Sequence, residues 1–315
     1  MRAIQISEFG GPDVLELVEI DRPQPRDGQV LIRVTRAGVN FADTHSRSDS
    51  YLTRPDLPYV PGGEVVGVRD DGGERVLALS GSGGYAEYVV AQEALCWSIP
   101  DAVGDDQALA LLVQGVTAWH LLHSSARVQT GETVVVHAAA GGVGSLAVQL
   151  ARRAGAHVVA TASSDQKRAL ALELGAHAAV ESDGEGLAER LIEANSGKRP
   201  EVVLEMTGGK VFRESLKALA PFGRLVVYGQ ASHEPSTFDA ALLQQRSRSI
   251  IGYWLMDAVA YGMVAEPLGE LLALVAAGEL RAVVGGVHPL AAAGQVHRDL
   301  EARRTTGKQL LDPVA

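Results

Sequence analysis

The segment ETVVVHAAAGGVGSLAVQLARRAGAHVVATASSDQK, from Glu132 to Lys167, governs the architecture expected for this chain. Thr133 to Ala138 is a short, apolar, β-branched run, which is typical of a strand buried on both faces. A glycine turn, Ala139 to Gly144, leads into a helical pattern that Gly155 ends. A second strand is expected from His157 to Thr161. The segment therefore predicts one βαβ unit.

The glycine turn is a candidate dinucleotide-binding site. Backbone N–H groups can approach a pyrophosphate closely only where no Cβ intervenes, and a helix N-terminus favours negative charge. The usual pattern is G-x-G-x-x-G; Ala139 takes the first position here, and Gly141 and Gly144 take the others. A purely structural turn is the alternative, but the flanking strands favour a dinucleotide. The predicted contacts are Ala140, Gly141, Gly142, Val143 and Gly144.

The end of the second strand distinguishes NADPH from NADH. An NAD site usually places a carboxylate there for the ribose 2′-OH, whereas this chain has Ala162. Ser163, Ser164 and Lys167 follow and can accommodate a 2′-phosphate, so NADPH is predicted, although Asp165 opposes it. The alternative is that Ser163 or Ser164 caps the next helix while Lys167 and Arg168 are solvated surface charges.

Composition limits the classes of protein that the chain can represent. Its 315 residues favour two domains, and its net charge of −10 argues against a general nucleic-acid surface. The single cysteine, Cys96, excludes an internal disulfide and a cysteine-cluster metal site. No segment has the length of a transmembrane helix, and the first residues lack a signal-peptide core. A cytoplasmic protein is expected.

The order of elements predicts an α/β fold with two domains. The first hundred residues show short strands punctuated by glycine, which indicates a β-rich barrel or roll. Strands then alternate with helices, which predicts a doubly wound parallel sheet of the Rossmann type. The expected domains are residues 1–117, residues 118–257, and a C-terminal segment, 258–315, that returns to the first domain. Among the later elements we expect strands at Ser249–Leu255 and Ala282–Val284.

Five motifs in this order resemble the medium-chain dehydrogenase/reductase superfamily. The chain is similar in particular to its zinc-independent, zeta-crystallin-like NADPH:quinone oxidoreductases. The motifs are AGVNFAD (37–43), PGGEVVG (61–67), GVTA (115–118), HAAAGGVG (137–144) and TTGK (305–308). The resemblance implies a GroES-like β-rich catalytic domain, an NADPH-binding Rossmann domain and a homodimer.

The same resemblance implies roles for individual residues. Asn40 and Thr117 would lie near the nicotinamide, and Asn40 and Tyr51 would act in catalysis. Asp43, His45, Tyr51 and Trp254 would contact the substrate, while Tyr228, Gly229 and Lys308 would contact the cofactor. Ordinary structural roles are the alternatives: a turn for Asn40, a loop aromatic for Tyr51, a strand in a dimer interface for Trp254 and a surface position for Lys308.

No zinc site is predicted. Zinc-dependent members of the superfamily bind the metal through cysteine and a Gly-His-Glu element, but this chain reads Gly62-Gly63-Glu64. His45, His120, His123 and His137 form no recognisable ligand spacing.

Without a metal to polarise an alcohol, hydride transfer to a readily reduced acceptor is favoured. The leading hypothesis is an NADPH-dependent quinone reductase. The alternatives are an enoyl or enone reductase of the same superfamily and a non-catalytic NADPH-binding sensor.

Overall fold

The computed structural model describes residues 1–315, which divide into two units. One unit contains residues 1–113 and 268–315, and the other contains residues 114–267. The sequence places the domain limits at 117 and 257. None of the helices combines the length and the apolar character that crossing a lipid bilayer requires.

The elements are numbered here in chain order. The strands are β1 (Arg2–Gln5), β2 (Glu16–Glu19), β3 (Gln29–Val39), β4 (Glu64–Arg69), β5 (Arg75–Leu79), β6 (Tyr88–Gln92), β7 (Cys96–Ser98), β8 (Thr133–Val136), β9 (His157–Ala162), β10 (Ala178–Glu181), β11 (Val202–Glu205), β12 (Arg224–Val227), β13 (Ser249–Gly252), β14 (Val284–Pro289) and β15 (Lys308–Asp312). The α-helices are α1 (Phe41–Arg47), α2 (Asp105–Ala110), α3 (Val116–His120), α4 (Gly142–Arg153), α5 (Asp165–Glu173), α6 (Leu187–Ala194), α7 (Gly209–Ala218), α8 (Ala241–Gln244), α9 (Leu255–Ala260), α10 (Ala265–Ala276) and α11 (Ala293–Glu301).

The unit of residues 114–267 is built on a six-stranded parallel sheet. The strands lie in the order β10-β9-β8-β11-β12-β13. Numbered within the sheet, this is the 3-2-1-4-5-6 order of the Rossmann fold, so the predicted doubly wound sheet is confirmed. All four residues of β8 and of β11 are buried, because helices cover both faces of such a sheet.

The other unit is rich in β-structure, as predicted. Its main sheet has the order β14-β15-β3-β4-β5-β7, and β6 pairs with β3 as well. The long strand β3 pairs antiparallel with both β4 and β15, so residues from distant parts of the chain meet beside it. The apolar core of this unit is formed by side chains such as Ile32, Val34, Val65 and Leu311.

Several expectations about single elements were wrong. The strand expected at Ala282–Val284 begins only at Val284 and runs to Pro289, where it gains a parallel partner in β15. The strand expected at Ser249–Leu255 ends at Gly252, and Leu255 begins helix α9. Helix α1, which starts directly after Asn40, was not predicted from the sequence. Pairing with β15 extends β14 beyond the local apolar run.

Candidate active site and cofactor-binding turn

The predicted dinucleotide turn lies at the carboxyl end of β8. Ala138 has a positive φ of 48°, which turns the chain sharply, and the N–H of Gly141 donates to the carbonyl of Ala138 at 2.8 Å. Helix α4 then begins at Gly142, and residues 141–143 are partly exposed. Backbone N–H groups at a helix N-terminus thus remain accessible to an anion beside the sheet.

The glycines of this turn are required by close packing. A Cβ on Gly144 would lie 2.3 Å from the carbonyl oxygen of Ala138 and 2.8 Å from Cα of Ala139. A Cβ on Gly142 would overlap the side chain of Gln114. The two glycines allow α4 to approach β8 as a dinucleotide-binding turn demands, so the residues present fit an NADPH pyrophosphate.

The segment after β9 combines a helix cap with positive charge. Oγ of Ser164 accepts the N–H of Lys167 at 3.3 Å, so the serine caps α5 as the alternative interpretation proposed. Arg168, which the alternative interpretation treats as a solvated surface charge, donates to Asp165 at 2.6 Å and to the carbonyl of Ala162 at 3.1 Å. The carboxylate that opposed a 2′-phosphate is therefore paired, while Ser163 and Ser164 are exposed.

The other predicted residues of this unit occupy element ends. Tyr228 and Gly229 follow β12 at the carboxyl edge of the parallel sheet, the edge where ligands bind in this fold. Burial raises the pKa of the Tyr228 hydroxyl, and Glu205 at the end of β11 adds to this effect. Thr117 is buried on α3, and Trp254 is the N-cap residue of α9.

Asn40 and Lys308 belong to one buried cluster in the β-rich unit. Nδ2 of Asn40 donates to Oε1 of Glu64 at 2.7 Å, and Oδ1 of Asn40 accepts from Nζ of Lys308 at 2.9 Å. Nζ of Lys308 also donates to Glu64 and, at 3.2 Å, to the carbonyl of Val39. Lys308 is fully buried, so the surface position considered for it was wrong. Its three N–H donors all have protein acceptors.

Glu64 is the functional candidate that the sequence analysis overlooked, since the residue appeared there only as part of a missing zinc element. Its side chain is 0% exposed, and its Oε2 accepts the N–H of Val113 at 2.9 Å. A Cβ on Gly38 would lie 2.6 Å from Oε1 of Glu64, so the glycine makes room for the carboxylate. A glutamate that opens an apolar strand (EVVGVR) was the available signal.

Asp43 is the third residue of α1, and its carboxylate holds the backbone of Asn40. Its Oδ2 accepts the backbone N–H of Asn40 at 2.8 Å and the hydroxyl of Tyr85 at 2.9 Å. Burial raises the pKa of Asp43 to about 6, against the lowering effect of these hydrogen bonds and of Lys308. Asp43 is only 7% exposed, so most of its surface is already taken by protein contacts.

His45 and Tyr51 lie at the exposed end of this region. Nδ1 of His45 is 3.0 Å from Oγ of Ser50, and the His45 ring centroid is 5.4 Å from that of Phe41. Tyr51 follows in an irregular segment and is partly exposed. The structure therefore brings Asn40, Asp43 and Lys308 close together, while His45 contacts Ser50 near the end of α1 and Tyr51 lies beyond that helix.

The described residues contain no group of three or more His, Cys, Asp or Glu side chains able to hold a metal ion. Position 63 is glycine, and Glu64 is committed to Asn40, Lys308 and Val113. The donor set beside Asn40 is therefore not that of a zinc site.

Comparison with known proteins defines the class of protein to which this chain belongs. Residues 26–101 match the alcohol dehydrogenase GroES-like domain, and residues 142–275 match the zinc-binding dehydrogenase domain. A quinone oxidoreductase of Rattus norvegicus is 35% identical over 324 residues, covering 99% of this chain and 97% of that protein. The two domains, in this order, define a medium-chain dehydrogenase/reductase.

Solved structures narrow the assignment. The quinone oxidoreductase of Thermus thermophilus is 39% identical with a TM-score of 0.89, and that of Escherichia coli, solved with NADPH, is 31% identical with a TM-score of 0.94. Each comparison covers 99% of this chain and 100% of the other. The chain belongs to the zinc-independent quinone oxidoreductase family of this superfamily.

Proposed function

We propose that this protein is an NADPH-dependent quinone oxidoreductase that works without a metal. The observation that carries the proposal is the glycine turn between β8 and α4 in a sheet of Rossmann order, in a chain similar over its full length to quinone oxidoreductases. The similar structure from Escherichia coli is described as a complex with NADPH, and a complex with NADPH is also described for the enzyme from Thermus thermophilus.

The proposed cofactor contacts divide between phosphate and nicotinamide groups. The turn residues Ala140, Gly141, Gly142, Val143 and Gly144 would hold the pyrophosphate, with Ser163, Ser164 and Lys167 at the 2′-phosphate. Asn40 and Thr117 are the residues proposed near the nicotinamide, and Tyr228 and Gly229 are proposed as further cofactor contacts. Lys308 would act on the cofactor through Asn40, because its own donors already have protein acceptors.

Bound NADPH supplies the hydride in this proposal. The protein orients the cofactor and the quinone, excludes water and stabilises the negative charge that develops on the acceptor oxygen. Asn40 has its amide held in one orientation by Glu64 and Lys308, which suits a group that must present a fixed dipole. Tyr51, or a water molecule, would donate the proton that completes the hydroquinone, and Asp43, His45 and Trp254 would line the quinone site.

A turnover assay with three acceptors tests the proposal. NADPH oxidation would be followed with a benzoquinone, a naphthoquinone and an enone in parallel. Turnover of the quinones that clearly exceeds enone turnover is the expected result. Enone turnover alone would replace the proposal with activated C=C reduction. Tight NADPH binding without turnover of any acceptor would instead point to a sensor.

The proposal includes a homodimer in the cytoplasm. Strand β13 is the edge of the parallel sheet, so its outer backbone groups are available to a second copy of the chain. Light scattering during size-exclusion chromatography would test this, and a monomeric mass at micromolar concentration would contradict it.

A further inference from the structure

A chain of buried hydrogen bonds connects α11 to Asp43 and is not used by the mechanism above. The Tyr85 hydroxyl donates to Asp43 and lies 3.1 Å from Nε2 of His297. Nδ1 of His297 is in turn 3.3 Å from Nη1 of Arg47. Tyr85 and His297 are 0% exposed, and Arg47 is 2% exposed. Four polar side chains in an apolar core therefore satisfy one another in sequence.

Arg47 sets the donor-to-acceptor direction of these hydrogen bonds. A guanidinium only donates, so Nδ1 of His297 must accept and the ring proton of the neutral imidazole lies on Nε2. Burial, together with the charge of Arg47, lowers the pKa of His297 to about 3, so this ring is neutral. Nε2–H then donates to the Tyr85 oxygen, and the Tyr85 hydroxyl donates to Asp43. Every donor points toward the carboxylate.

Arg47 also prevents this series of hydrogen bonds from conducting protons. A guanidinium does not release a proton under ordinary conditions, so nothing can be passed inward through His297. Arg47 is itself held by the carbonyl of Gly10 at 3.0 Å and by Glu301 at 2.5 Å. These hydrogen bonds are therefore a fixed electrostatic support for the Asp43 carboxylate and not a proton relay.

Opposing effects act on the pKa of Asp43, the carboxylate at the end of these hydrogen bonds. Burial and the nearby Glu64 raise the pKa of Asp43, whereas the Asn40 N–H, the Tyr85 hydroxyl and Lys308 lower it. Tyr59 also faces the carboxylate, since Asp43 contributes to the raised pKa of that phenol. Removal of the Tyr85 hydroxyl would deprive the anion of a buried donor, which favours the protonated form at neutral pH.

We propose that Tyr85 and His297 are positioning residues that keep Asp43 ionised, and that the ionised Asp43 holds Asn40 in place for hydride transfer. The proposal rests on the proposed function for the part played by Asn40. The carboxylate accepts the N–H of the residue whose amide is fixed by Glu64 and Lys308, so protonation of Asp43 weakens one of the anchors of Asn40. Quinone turnover should then fall at acidic pH with the titration of Asp43.

The test compares Tyr85→Phe with the wild-type protein across pH. We expect kcat for quinone to fall below pH about 6 in the wild type, and the acid limb to move upward by about one pH unit in the variant. The dissociation constant of NADPH should not change at pH 8. Tyr88→Phe is the matched control, because Tyr88 lies on β6 with Arg22 over its ring and should leave the limb unmoved. An unmoved acid limb in Tyr85→Phe would overturn the proposal.

Infrared titration separates this proposal from the assignment of function. The carboxylic acid band that is present in the wild type and absent in Asp43→Asn reports the protonation of Asp43 without any turnover. If this band titrates at higher pH in Tyr85→Phe than in the wild type, the proposed role of Tyr85 is supported even when no quinone is reduced. If Tyr85→Phe does not fold, His297→Gln replaces it with a smaller expected shift in the same direction, and an unchanged titration there contradicts the proposal.

Discussion

Nζ of Lys308 lies 2.9 Å from Oδ1 of Asn40, with the ammonium and the amide both bonded to the carboxylate of Glu64. This contact fixes which way the Asn40 amide faces, because the oxygen must meet the lysine and the nitrogen must meet the glutamate. It also keeps a lysine and a glutamate at 0% exposure, where each charge depends on the other.

Lys308→Met should destabilise the protein by about 3–5 kcal/mol, because Glu64 would remain as an uncompensated buried charge. The double variant Lys308→Met/Glu64→Gln should lose much less than the sum of the two single variants. Urea denaturation measures both effects. Lys217→Met is the control: its ion pair with Glu214 involves a lysine that is 66% exposed, so its loss should cost less than about 1 kcal/mol. Additive losses in the double variant would contradict the coupling.

Lys167→Ala should weaken NADPH binding about 10-fold or more and leave NADH binding nearly unchanged, since the lysine would meet only the 2′-phosphate. Fluorescence titration with both cofactors gives the comparison. Lys198→Ala, an exposed lysine of the same unit, should alter neither affinity. Equal losses for the two cofactors in Lys167→Ala would remove the phosphate role.

Gly144→Ala should prevent dinucleotide binding and lower the stability of the parallel-sheet unit. The added Cβ would be 2.3 Å from the carbonyl oxygen of Ala138, so α4 would have to move away from β8. Gly269→Ala is the matched control within α10, where a Cβ would meet nothing within 4 Å and alanine favours the helix by about 1 kcal/mol. Thermal unfolding with and without NADPH checks both variants. Unimpaired NADPH binding by Gly144→Ala would contradict the packing argument.

The buried His137 should make the stability of the protein depend on pH. Burial lowers the pKa of His137 to about 4, and its ring bonds Thr161 at 2.9 Å and Ser215 at 2.7 Å. The unfolded chain therefore binds a proton below pH about 6.5 that the folded chain refuses, so His137 costs about 3 kcal/mol of stability as the pH falls to about 4.

Asp43 has the opposite sign, because its raised pKa makes the folded chain bind the extra proton. Because Asp43 titrates alike in both proteins, the free energy of unfolding of His137→Gln should fall by about 3 kcal/mol less than that of the wild type between pH 6.5 and 4. Urea titrations at several pH values test this, and parallel curves for the two proteins would show that His137 does not contribute.

Quinone turnover should survive prolonged chelation of divalent metals, because the described residues offer no metal-ligand cluster. Activity before and after dialysis against a chelator is the measurement. A loss that added zinc restores would overturn the metal-free mechanism.

The βαβ unit could be predicted from residues 132–167 because its determinants are local. The apolar runs, the turn glycines and the helix-ending Gly155 act within a few residues of their own positions. Helix α1 was not predicted although its cap is local, since Asp43 in its first turn accepts the N–H of the N-cap residue Asn40. The contacts of Asp43 with Tyr85, and of Tyr85 with the distant His297, required the tertiary structure. The role of Arg168 in neutralising Asp165 also required three-dimensional geometry.

The cluster around Asn40 could not be predicted from spacing. Glu64 is 24 residues from Asn40, and Lys308 is 268 residues from it. They meet because β3 pairs with β4 on one side and with β15 on the other, in registers that set Ala37 opposite Val65 and Val39 opposite Gln309. Sequence periodicity specifies which face of a strand is buried, whereas the choice of neighbouring strand depends on packing of the whole sheet. The motifs therefore identify the family from the sequence, and the strand order assembles the buried charges that fix Asn40.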